Sequence, residues 1–343
     1  MDPAVVWEGT GPIARTARLA LAPAAWLYRG GVWLRNALFD AGVFHSGTMA
    51  VPALSVGNLT VGGTGKTPVA ADLARRLRDG GGRPALVLRG YGADEPAVHA
   101  LLNPDVPVLT SPDRVAASAR ARELGCDVVV LDDAFQHRWA QRMVDLVVVA
   151  AEQWCPPMRC LPAGPYREPP AALRRATLVV VTRKSASESV AADVERAIAR
   201  FTPAPVTRVA LQLDMLRRVG DAGAARTLES LHGASVVAVA GIGAPRRSVE
   251  QLEGVGARVE LVSFPDHHRF TPDDVAAILR RSPAAATVVC TLKDAVKLEP
   301  LWPRASPPLW YVSQRLAVEA GADAYAAAVQ RLLDARWHDP TLR

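Results

Sequence analysis

Residues 62–67 read Gly-Gly-Thr-Gly-Lys-Thr, the residue types that wrap a polyphosphate. Gly62, Gly63 and Gly65, with Thr64 between them, let backbone N–H groups approach anionic oxygens, Lys66 adds a point charge and Thr67 a hydroxyl. In that arrangement Lys66 reaches the β and γ phosphates of a nucleoside triphosphate and Thr67 ligates Mg2+. The run departs from G-x-x-x-x-G-K-T, because Thr60 stands where the first glycine belongs. The three remaining glycines still supply close approach, so ATP or GTP is the implied ligand.

Four further sets of residues could take part. Asp132 and Asp133 end the apolar run 128–131, downstream of the loop, where a carboxylate can hold Mg2+ directly or through water; the alternative is that they only terminate a strand. Gln136 and His137 follow and belong to the same edge. Residues 264–272, Phe-Pro-Asp-His-His-Arg-Phe-Thr-Pro, put His267 and His268 beside Asp266, a pattern that suits a general base or its partner. No further His or Cys follows at ligand spacing, which disfavours zinc. Asp94, in the run 89–96, could accept a hydroxyl proton or simply begin a helix before Pro96. Arg167, within 161–168, could neutralise phosphate charge or pair with a surface acid.

These residues need elements to hold them. An apolar strand over 51–56 and a helix over 66–78 flank the phosphate loop as such a loop requires. Val/Leu runs at 84–88, 128–131, 146–149 and 178–181 alternate with helical segments, which predicts a parallel sheet covered on both faces. Residues 205–230 turn Pro-rich and then alternating, and read as an extended connector. A second α/β series follows, with strands at 236–239, 258–262 and 286–290 and helices near 247–252, 272–280 and 320–335. The expectation is an α/β protein: a P-loop NTPase-like parallel-sheet domain over 51–204 and a smaller α/β domain over 231–343.

Residues 1–50 form an amphipathic helical segment that mixes Trp26, Leu27, Trp33, Leu34 and Phe39 with Arg15, Arg18, Arg29 and Arg35. Such a helix fits either the lipid headgroup layer or a protein core, and spacing does not separate the two. Pro23 and the Gly30-Gly31 pair predict a break into two short helices. No apolar run reaches the roughly 18 residues a membrane span needs. The net charge of +6 comes mostly from dispersed arginines without a basic, aromatic-rich face, so a nucleic-acid partner is not expected. Four cysteines without a C-x-x-C pair read as free thiols.

Taken in order, SVGNLTVGGTGKTP, RGYG, DEP, PDRVAA, LDDAFQH, LPAGPYRE, FPDHHRFT and TLKDAVKL closely resemble the tetraacyldisaccharide 4′-kinase family of the lipid A pathway, from Val51 to Leu298. The resemblance implies transfer of the ATP γ-phosphoryl group to the 4′ hydroxyl of tetraacyldisaccharide 1-phosphate, giving lipid IVA. It implies peripheral attachment at the cytoplasmic face of the bacterial inner membrane and turns the N-terminal segment toward that membrane surface. By motif, the family's catalytic pair falls on Asp94 and His267 and its metal-binding acids on Asp132 and Asp133, while Arg114, Arg167 and Glu168 lie in motifs around the phosphates. Departures are a single residue, Ala93, between RGYG and DEP where the family has a longer segment, and Leu88, Ala134 and Leu292 where it often has Ser, Gly and Glu. A reading from another class is a nucleotide-driven switch or metallochaperone-type ATPase, which has no use for a hydroxyl-directed base.

Overall fold

The structure, a computed structural model, describes residues 3–90, 94–241, 245–265, 268–283 and 286–337. In chain order the elements are α1 (Pro3–Glu8), α2 (Pro12–Asp40), β1 (Ala53–Asn58), α3 (Lys66–Asp79), β2 (Pro84–Leu88), α4 (Asp94–Leu102), β3 (Val108–Thr110), α5 (Arg114–Glu123), β4 (Val128–Asp132) and β5 (Val144–Ala150). They continue as β6 (Leu178–Arg183), α6 (Glu188–Ile198), β7 (Val206–Arg218), β8 (Asp221–Thr227), β9 (Ser235–Ala240), α7 (Pro245–Gly254), β10 (Arg258–Ser263), α8 (Pro272–Arg281), β11 (Thr287–Cys290), α9 (Leu292–Leu298), β12 (Leu309–Ala320) and α10 (Ala322–Trp337). Two compact units result, neither contiguous in sequence: Met1–Tyr91 with Leu102–Leu211 and Leu316–Arg343, and Gly92–Leu101 with Gln212–Arg315.

The first unit is built on parallel strands in the order β7-β6-β5-β1-β4-β2-β3. Val and Leu run without alternation through most of β4 and β6, and β1 is buried at every position, because both faces are covered: Leu54, Val130 and Val180 are fully buried. One face takes α3 through Val69, Leu73 and Leu77, which pack with Leu332 and Leu333 of α10. Tyr325 of α10 also donates to Asp72 of α3 at 3.2 Å. The C-terminal helix therefore groups with the phosphate-loop unit, whereas the sequence pattern set it in the second domain. Asp113 caps α5 by accepting from the N–H groups of Val115 and Ala116.

Helix α2 departs from expectation. It runs unbroken for 29 residues through Pro23 and Gly30-Gly31. Pro23 removes one backbone hydrogen bond and each glycine weakens a helix by about 1 kcal/mol, but an exposed helix side lets water satisfy the freed carbonyl and side-chain anchors hold the ends. Arg138 donates to the Asn36 carbonyl and to Asp40 near the C-terminus, and Arg18 to the carbonyls of Val6 and Gly9 near the N-terminus. No described helix is long and apolar enough to cross a membrane.

In the second unit β10-β9-β11-β12 are parallel neighbours. Residues 205–230, expected as a connector, hold instead two paired strands: Met215 to Arg218 of β7 pair antiparallel with β8, and Gly220 takes φ 76° at the turn. The alternation of β7 was visible, but its partner was not, because β8 reads Asp-Ala-Gly-Ala-Ala-Arg-Thr, in which Thr227 alone is a strand-forming residue. Thr271 and Asp274 form a capping box at the start of α8.

Candidate active site

The phosphate loop leaves the C-terminal end of β1 and closes on the N-terminus of α3 within the first unit. Gly62 and Gly65 take φ of 109° and 92°, angles that side-chain-bearing residues rarely adopt. A Cβ on Gly65 would also stand 2.6 Å from Leu211 Cδ1. Thr64 is buried and fixed from two sides: the Asn58 amide donates to its hydroxyl at 2.8 Å, and the Thr182 hydroxyl donates to its carbonyl at 2.8 Å. Lys66 opens α3 and half-buried Thr67 follows it, so both stand where the helix dipole and free N–H groups favour an anion.

Asp132 ends β4 almost fully buried, and its carboxylate accepts the N–H of Asp133 at 2.8 Å. Asp133 turns out of the strand at φ 51°. Its carboxylate lies 3.7 Å from Lys66 Nζ and accepts from both terminal nitrogens of Arg167, at 2.7 and 3.0 Å. Burial raises the Asp133 pKa, but the Lys66 ammonium and the Arg167 guanidinium outweigh it and hold the group below the usual carboxylate range. Arg167 also donates to the Asn58 side-chain oxygen and to its carbonyl, and Gln136 donates to that carbonyl at 2.9 Å. Lys66, Asp133, Arg167, Asn58 and Thr64 thus form one connected set. Nearby His137 has its pKa pushed down to about 4, by burial first and then by the positive charges of Arg114, Arg142 and Arg89. Arg114 is itself buried, which lowers its pKa.

Glu168 does not face this set. It is fully buried and accepts from Arg175 at 2.8 and 3.1 Å, from Asn36 at 2.8 Å and from Arg35 at 3.3 Å, tying α2 to the segment that carries Arg167. Across from it in sequence, Glu152 accepts the N–H groups of Lys184, Ser185 and Ala186 with one oxygen, and Lys184 Nζ reaches the Gly63 carbonyl at 3.3 Å. Sequence reasoning missed Asn58, Thr182 and Glu152. Asn58 and Thr182 are the polar residues closing apolar strand runs at β1 and β6, a signal available beforehand.

In the second unit Asp94 is the first residue of α4, largely buried, with Lys297 Nζ at 3.5 Å. Asp294, fully buried, accepts from the Gly241 N–H at 3.0 Å and the Thr291 hydroxyl at 2.7 Å. His268 Nε2 is 3.0 Å from Asp274 and its ring stacks on Phe264. His267 and Asp266, like Tyr91, Gly92 and Ala93, lie outside the described residues. Among the described residues no cluster of three or more His, Cys, Asp or Glu side chains forms a metal cage.

A family profile described as tetraacyldisaccharide-1-P 4′-kinase matches residues 17–105 and 93–334. A tetraacyldisaccharide 4′-kinase of Anaeromyxobacter dehalogenans (strain 2CP-C) is 39% identical over 360 residues, covering 95% of this chain and 94% of the relative. The enzyme of the same description from Syntrophus aciditrophicus is 37% identical over 339 residues, covering 88% and 90%. Among solved structures, LpxK from Aquifex aeolicus in complex with ATP superposes with a TM-score of 0.75 at 28% identity, covering 92% of this chain and 99% of that one.

Proposed function

The chain belongs to the tetraacyldisaccharide-1-P 4′-kinase family and is an ATP-using kinase of the lipid A pathway, and on that premise we propose how its residues divide the reaction. The reaction is transfer of the γ-phosphoryl group to the 4′ hydroxyl of tetraacyldisaccharide 1-phosphate, giving lipid IVA. Gly62, Gly63, Thr64 and Gly65 cradle the phosphates, with Asn58 and Thr182 holding Thr64 in place. Lys66 and Arg167 are the cations that exchange the Asp133 carboxylate for phosphate oxygens.

The donor set at the end of β4 fits Mg2+: Asp132, Asp133 and Thr67 offer hard oxygens, and Asp133 is held ionised. When bound, the ion would neutralise charge on the β and γ phosphates. Asp94 accepts the proton of the 4′ hydroxyl and His267 orients it, with Lys297 anchoring the Asp94 carboxylate. The exposed residues Ile13, Leu19, Trp26, Leu27, Trp33 and Leu34 of α2, beside its arginines, support peripheral attachment to the cytoplasmic face of the inner membrane, where the acyl chains of the acceptor lie.

The connected set of Lys66, Asp133, Arg167, Asn58 and Thr64 is the observation that carries this reading, since it gathers phosphate-binding and charge-neutralising groups at one loop. A switch ATPase is disfavoured by the family match along nearly the whole chain. The test is transfer of labelled γ-phosphate from ATP to tetraacyldisaccharide 1-phosphate in neutral detergent micelles with Mg2+. Wild type labels the lipid and Lys66→Ala does not. Asp94→Asn lowers kcat by about 100-fold or more while leaving ATP binding nearly intact. Wild-type turnover in Asp94→Asn would remove Asp94 from the role of base.

A further inference from the structure

Between α2 and residues 158–169 lies a groove of about 520 Å3. Its wall combines two chemistries. Leu19, Trp26 and Met158 supply apolar surface, and Arg15, Arg29 and Arg159 bring three guanidiniums to its rim. The neighbouring Arg18 is engaged by the carbonyls of Val6 and Gly9. Arg15, Arg29 and Arg159, by contrast, form no ion pair or side-chain hydrogen bond among the described residues, and no carboxylate lines the groove. Three like charges around one concavity create a positive potential that an anion would neutralise.

The apolar half narrows what that anion is. Inorganic phosphate would leave Trp26, 75% exposed, and Leu19, 74% exposed, in water, and a neutral lipid would leave the guanidiniums unanswered. The groove also adjoins the chemistry. Its floor includes Cys160, Ala163 and Pro169, from the segment that carries Arg167 and Glu168. Helices α1 and α2 both grip the same segment: the Tyr28 hydroxyl of α2 donates to the Arg167 carbonyl at 3.1 Å, and the Trp7 indole of α1 donates to the Pro162 carbonyl at 2.9 Å.

We propose that this groove binds the phosphodiester headgroup of an anionic membrane phospholipid. Arg15, Arg29 and Arg159 donate to its phosphate oxygens, the roots of the acyl chains lie on Leu19, Trp26 and Met158, and occupancy steadies the segment that carries Arg167. The inference rests on the reading that α2 meets a membrane, and goes beyond it by assigning a lipid class, a site and a consequence for turnover.

The test compares cosedimentation of the full chain with vesicles of phosphatidylcholine alone and of equimolar phosphatidylcholine and phosphatidylglycerol. Wild type should prefer the anionic vesicles by at least about tenfold, given the attraction of each basic residue near such a surface. The triple variant Arg15→Gln/Arg29→Gln/Arg159→Gln should lose that preference yet bind phosphatidylcholine as wild type does. A control with the same charge change at exposed positions elsewhere, Arg122→Gln/Arg200→Gln/Arg281→Gln, should keep it. In neutral micelles, added dioctanoyl phosphatidylglycerol should raise kcat/KM of wild type and not of the groove variant.

Equal loss in both triple variants would replace the groove with diffuse charge. A raised KM for the disaccharide in the groove variant without phosphatidylglycerol would give the groove to the acceptor substrate and overturn the proposal. Binding of wild type to neither vesicle would sink the membrane reading and the headgroup site together. Equal binding of wild type to both vesicles would sink the headgroup site alone.

Discussion

At Asp133 the backbone adopts φ 51°, a conformation that side-chain-bearing residues hold at some expense and that Asp and Asn tolerate best. The turn aims its carboxylate at Lys66 and Arg167, so strain and function meet in one residue. Asp133→Gly should therefore unfold at the same or a higher temperature while losing most kinase activity, and a drop in both would make Asp133 a structural residue. His137 gives a second prediction. Its folded-state pKa, about 4, lies below the ordinary 6.5, so the unfolded chain takes up a proton in a range where the folded protein does not. The neutral imidazole thus favours folding fully above pH 6.5, and that contribution is lost as pH falls toward 4. The imidazole resonances of His137 followed by NMR should show no titration between pH 7 and about 5 in the folded protein; a midpoint near the ordinary value would mean that the site is wetter than its burial indicates.

At the scale of elements, several strands and helices were legible from apolar runs and from helix-start signals. Val128 to Leu131 is apolar at every position and becomes a strand buried on both faces, and helix α8 was marked by its Thr271 cap and Pro272. What the pattern did not carry was long-range pairing. Glu168 sits in a motif beside Arg167, yet its partners are Arg175, Asn36 and Arg35, two of them more than a hundred residues away in the chain. The same applies to Thr182, whose hydroxyl closes on Thr64 across 118 positions. Thr182→Val keeps the shape of β6 and removes that bond, leaving the Thr64 carbonyl without its side-chain donor. The expected outcome is a several-fold higher KM for ATP with kcat little changed, measured at saturating lipid; an unchanged KM would show that the glycines alone set the loop.

At the scale of the whole molecule, the division into units follows contacts that sequence order conceals. Asp94 lies in a ten-residue stretch, Gly92–Leu101, that belongs with Gln212–Arg315, while the last helix belongs with the phosphate-loop unit. The burial of Leu332 and Leu333 beside Leu73 and Leu77 makes α10 part of that core. A chain ending at Gly321 should lose the thermal transition of the first unit or become insoluble, because uncovering several large apolar side chains removes about 2 to 5 kcal/mol for each; a soluble, ATP-binding product would show that α10 is dispensable. This interleaving has a consequence for the order of events during synthesis. The nascent stretch containing Asp94 leaves the ribosome more than a hundred residues before the strands it will join, and α3 waits still longer for α10. The second unit cannot complete its core until residues up to Arg315 have been made, nor the first until α10 has been, so the newborn chain spends that interval with apolar helix faces exposed to association with its neighbours.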